Sequence, residues 1–130
     1  MFADGIMNLN LKLTGSINER QLAKRLRFWK PRSLNMEISL YLQRCVAACK
    51  LSPTERLYMG DFILHFEIVD RLLSGDICTR NGKAIVAAAS FDRHRLVHEI
   101  GHALFFHFYG PGPVWMSEAW AMFLDKEVNG

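Results

Sequence analysis

Asp92-Arg93-His94-Arg95-Leu96-Val97-His98-Glu99-Ile100-Gly101-His102-Ala103-Leu104-Phe105-Phe106-His107-Phe108-Tyr109 decides how the rest of the chain is read. At its centre stands His98-Glu99-Ile100-Gly101-His102, an H-E-x-x-H pattern. A helix advances about 100° per residue, so positions four apart project about 40° from one another and both imidazoles can hold one ion. Neutral imidazoles suit Zn²⁺, which takes nitrogen and oxygen ligands in a tetrahedron. Glu99 stands beside the pair, placed to work on a water rather than on the ion. It would take the proton as that water attacks a polarised carbonyl.

The surroundings support this reading. Leu96, Val97, Ile100, Ala103, Leu104, Phe105 and Phe108 surround the motif with apolar side chains, the pattern of a buried helix with one polar stripe. Gly101 weakens a helix by roughly 1 kcal/mol relative to Ala, and glycine at such a position permits close packing. A core helix whose histidines only hydrogen-bond is the plainer alternative, and the two His, the Glu and the apolar frame together favour metal.

Catalytic zinc keeps three protein ligands and one open position, so a third is needed. Gly110-Pro111-Gly112-Pro113 breaks the chain, and Val114 to about Glu127 returns as a helix. Glu118, near its start, is the best candidate; Asp125 and Glu127 lie seven and nine residues further along. A third His is excluded on spacing, because the extended motif H-E-x-x-H-x-x-G-x-x-H falls on Phe105 and Phe108. His107 is one position off.

Together with Trp115-Met116-Ser117-Glu118-Ala119-Trp120-Ala121, the H-E-x-x-H motif resembles that of the gluzincin metallopeptidases, and by size the chain is similar to the single-domain minigluzincins. The likeness covers about the last 40 residues, and more loosely the strand-then-helix order from residue 77. It implies that His98, His102 and Glu118 ligate Zn²⁺ and that Glu99 is the catalytic general base and acid. It also implies a protease (hydrolase) cleaving a peptide or protein substrate. Three departures stand beside it. The interval from His102 to Glu118 is short, Ala119 replaces the common Gly, and Met122 stands where several gluzincins place an Asp that orients a His. No Tyr or His follows Glu118 to stabilise an oxyanion, which leaves Tyr109, His94 or a partner chain for that task and suits low or latent activity. Two other readings stay open: an ImmA/IrrE-type metallopeptidase acting on a repressor partner, and a zinc-stabilised binding module without turnover.

Length and composition bound the rest. The 130 residues suffice for one domain, 1–130, with a core that needs no disulfides, and half of them are hydrophobic. No run reaches the length of a membrane span, and the first residues lack the form of a signal peptide. Cys45, Cys49 and Cys78 are odd in number, which does not suggest a disulfide framework, so a cytoplasmic location is expected. A net charge of +3 names no partner.

In chain order, Ile6 to Thr14 alternates as a half-buried strand, with Leu9, Leu11 and Leu13 on one side. Ser16-Ile17-Asn18-Glu19 fits a capping box opening a helix that Pro31 ends, with Leu22, Ala23 and Leu26 inward. Its outer side carries Arg20, Lys24, Arg25 and Arg27, followed by Lys30 and Arg32. A solvated face is expected there, and nucleic acid is not the expected partner. Asn35 opens a second helix with Ile38, Leu42, Cys45, Val46 and Cys49 on one face. A metal site of Cys45, Cys49 and His65 is conceivable, and buried core cysteines are commoner. Ser52-Pro53-Thr54-Glu55 starts a third helix, expected to run to about Leu73, on which His65 and Glu67 are structural. Residues 77–90 read as a hairpin turning at Asn81-Gly82. Its small-residue return strand, Lys83 to Ser90, reads equally as a packed strand or as a substrate-binding edge. The fold expected is a single α+β, zincin-like domain. A short mixed β-sheet is backed by helices, with the H-E-x-x-H helix followed by the Glu-bearing one.

Overall fold

A computed structural model describes residues 9–26, 32–71, 78–80 and 83–130. The chain is mixed α+β. Among the described residues four strands, β1 (Leu9–Thr14), β2 (Leu64–Val69), β3 (Cys78–Arg80) and β4 (Lys83–Ala87), form one sheet in the order β1-β2-β4-β3. β1, β2 and β4 run parallel, and β3 pairs antiparallel with β4. The described residues also form five α-helices: α1 (Glu19–Lys24), α2 (Leu34–Ala48), α3 (Pro53–Tyr58), α4 (Arg93–Tyr109) and α5 (Val114–Asn129).

Alternation gives the sheet two unlike faces. The register aligns Leu11 with Phe66 and Ala84, and Leu13 with Ile68 and Val86. These side chains join α2 and α4 in one hydrophobic core with Ile38, Leu42, Leu96 and Ile100. The opposite face carries Asn10, Lys12, Thr14, His65, Glu67 and Lys83. There Asn10 Nδ2 lies 3.3 Å from His65 Nδ1, Thr14 Oγ1 donates to Glu67 Oε2 at 3.0 Å, and Lys83 Nζ pairs with Glu67 Oε1 at 3.0 Å. His65 and Glu67 are therefore structural, on a strand rather than on the expected helix.

That strand is the main departure from the sequence reading. The capping box at Ser52 and Glu55 forms, but α3 stops at Tyr58, a 3₁₀ turn covers Met59–Asp61, and β2 follows. Residues 64–69 are Leu-His-Phe-Glu-Ile-Val, whose buried members alternate two apart. Pairing with β1 on one side and β4 on the other satisfies the backbone of this strand, which a strong helix start upstream does not govern. β4, for its part, ends at Ala87 in a 3₁₀ turn, Ala88–Ser90, and lies between β2 and β3. β2 pairs with it from Lys83 to Ala87 and β3 from Lys83 to Ile85, so over those residues it is a packed strand. The turn expected at Asn81-Gly82 lies outside the described residues; Arg80 pairs with Lys83 on the strands beside it.

The first two helix caps are displaced from their expected positions by two residues. Asn18, not Ser16, caps α1, and Ser33, not Asn35, caps α2, each side chain accepting the backbone N–H of the residue three further on. α1 ends at Lys24, before the expected stop at Pro31, which lies outside the described residues. Arg25 donates to the carbonyls of Ala88 at 2.7 Å and Phe91 at 3.1 Å, and Arg32 stands 3.6 Å from Glu37. Two of the basic residues near α1 thus serve internal contacts rather than a ligand. Among the described residues no helix is long and apolar enough to cross a membrane.

Candidate metal centre

Asp92 caps α4 by accepting from the Arg95 N–H at 2.8 Å, and the helix runs until Gly110, whose φ of +69° stops it. Of its expected apolar stripe, Leu96, Val97, Ile100, Ala103, Leu104 and Phe105 are buried, and Phe108 is partly buried against the core. The Gly-Pro-Gly-Pro break then sends α5 back along α4. Contacts along the seam run in opposite chain directions, from His102 with Ser117 to His94 with Asp125 and Arg93 with Asn129.

This antiparallel return carries Glu118 to the two histidines. His98 Nε2 and His102 Nε2 lie 3.1 Å apart; Glu118 Oε2 is 2.8 Å from His102 Nε2, and its Oε1 is 3.4 Å from His98 Nε2. With one atom taken from each residue, the three potential ligand atoms lie within 4.8 Å of one another. Two ligands on bonds of about 2.0–2.1 Å at tetrahedral angles stand about 3.3 Å apart, so the spacing suits a single small ion. Among the described residues this is the one gathering of three or more His, Cys, Asp or Glu able to hold a metal. Cys45 and Cys49 are free thiols on the core side of α2, and His65 faces the other side of the sheet.

The environment favours the ligand form of His102. Burial, and after it the neighbouring His98, hold His102 below the ordinary histidine range, against the opposing pull of Glu118. The neutral imidazole that a metal requires is thereby the preferred form. The side chains of His98 and His102 are 22% and 14% exposed and that of Glu118 is 47% exposed, so the site opens to solvent on the α5 side. Glu99 is 2% exposed.

Other sequence candidates are placed elsewhere. Asp125 does not support a ligand histidine; both its oxygens face His94 Nδ1, at 3.0 and 3.2 Å, and Asn129 Nδ2 donates to it at 2.9 Å. Tyr109 is exposed, with its ring against Phe105 and Trp120. A contact that sequence reasoning missed is Ser117, whose Oγ lies 2.5 Å from His102 Nδ1. Its only signal in the sequence is adjacency to Glu118. Compared with family models, with curated proteins and with solved structures, the chain matches none.

Proposed function

We propose that the protein is a zinc-dependent hydrolase of peptide bonds with a zincin-like arrangement, in which His98, His102 and Glu118 hold the ion. The observation that carries this reading is the meeting of two imidazoles four residues apart on α4 with a carboxylate from α5, at spacings of 2.8 to 3.4 Å. The sheet order supports it: parallel strands with one antiparallel strand at the side lead directly into α4.

Zn²⁺, when bound, supplies a Lewis acid that polarises a carbonyl and acidifies a water. The protein's own residues supply the rest. His98 and His102 would hold the ion with nitrogen lone pairs from α4, and Glu118 would add one negative charge from α5, on a face open to solvent. Glu99 accepts the proton of the attacking water on its carboxylate and passes it to the leaving amine. The apolar wall of Ile100, Ala103 and Leu104 beneath the polar stripe fixes the helix that carries these groups.

Metal content of the purified protein, measured beside Glu118→Ala, tests the reading. About one zinc per chain in the wild type, lost or much weakened in the variant, is the expected result. Wild type that takes up no zinc even after exposure to it overturns the proposal.

A further inference from the structure

Helix α5 contributes more to the cluster than its direct ligand, Glu118. An imidazole that ligates through Nε2 must carry its proton on Nδ1, and a buried N–H needs an acceptor. For His102 the Nε2 side is the one facing His98 and Glu118, at 3.1 and 2.8 Å. Its Nδ1 points the other way, to Ser117 Oγ at 2.5 Å. The His102 side chain is only 14% exposed, so water is poorly placed to replace that hydroxyl. The carboxylate that would do this work in a His–Asp arrangement, Asp125, is occupied with His94.

We infer that Ser117 is a positioning residue: its Oγ accepts the Nδ1–H of His102 and fixes the ring with Nε2 bare toward the ion. The inference rests on the proposed zinc site and deepens it. Ser117 and Glu118 are neighbours in the first turns of α5. One short stretch therefore supplies both a ligand and the support of a ligand on the other helix. A hydroxyl in this place adds no charge beside the Glu118 carboxylate. That keeps the imidazole a weaker donor than a carboxylate partner would make it.

The test compares wild type, Ser117→Ala and Ser117→Thr. Zinc affinity is measured by competition with a chelator, and the imidazole Nδ1–H of His102 is observed by proton NMR of the zinc-loaded proteins. Loss of the hydroxyl is expected to weaken zinc about 10-fold or more and to expose the Nδ1–H to rapid exchange, while Thr, which keeps a hydroxyl, restores both. Thermal unfolding of the metal-free proteins separates this effect from a change in folding. Equal zinc affinity in wild type and Ser117→Ala, with the Nδ1–H equally protected, overturns the inference and leaves the zinc site standing. Failure of wild type itself to bind zinc overturns both.

Discussion

Gly101 and Ala121 meet at the crossing of α4 and α5. A β-carbon on Gly101 would lie 2.8 Å from the Ala121 Cα and 3.2 Å from its Cβ. Gly101 precedes His102 and Ala121 lies three residues beyond Glu118, so the separation of the helices there bears on how far Glu118 reaches.

Gly101→Ala is therefore expected to destabilise, although Ala is the better helix former by about 1 kcal/mol. The obstacle is backbone, which cannot swing aside, and overpacking of this kind costs about 1–3 kcal/mol. Denaturant unfolding checks it, with Gly60→Ala as the control, since a Cβ at Gly60 has nothing within 4 Å. Equal losses in the two variants would contradict the close-approach argument.

Glu99→Gln should keep zinc and lose turnover by about 10²- to 10⁴-fold, because the amide cannot take a proton. The measurement is cleavage of an unfolded protein substrate by zinc-loaded wild type and variant, with metal content read in parallel. Cleavage that survives in the variant would remove Glu99 from the proposed mechanism.

The thiols on α2 are expected to be inert. Burial, with Glu55 adding to it, pushes Cys49 up to about 11, and burial raises Cys45 further. At pH 8 the Cys49 thiolate is then on the order of one molecule in a thousand. In a Cys78→Ser background, a thiol reagent should label the native protein slowly and the denatured protein at once, with the native rate rising as pH rises. Fast native labelling at pH 8 would refute this.

Glu67 on β2 is held below the ordinary carboxylate range, first by its hydrogen bond from Lys83 and also by that from Thr14. A lowered folded value means stability that is present above the ordinary carboxylate pKa and lost as pH falls through the lowered one. Lys83 is 48% exposed, so the contribution stays within about 1 kcal/mol. Glu67→Gln should be slightly less stable than wild type at neutral pH and should converge with it in acid. A gap that widens on acidification would reverse the sign argued here.

The sequence by itself determined what depends on neighbours along the chain. Helical period places His98 and His102 on one side of α4, Asp92 and Gly110 mark its ends, and alternation marks β1. Glu118 was legible as the third member of the cluster because a proline- and glycine-rich break forces α5 to return. Tertiary structure decided the remainder. Leu64–Val69 is a strand because β1 and β4 lie on either side of it to receive its hydrogen bonds, partners that are 55 and 18 residues away at His65. Likewise, only the antiparallel seam brings Ser117 rather than Asp125 to His102, since 15 residues of chain separate two atoms 2.5 Å apart. Local torsional preference acts over a turn or two of helix, whereas strand pairing and side-chain support of a ligand depend on which distant surface the packed core brings near.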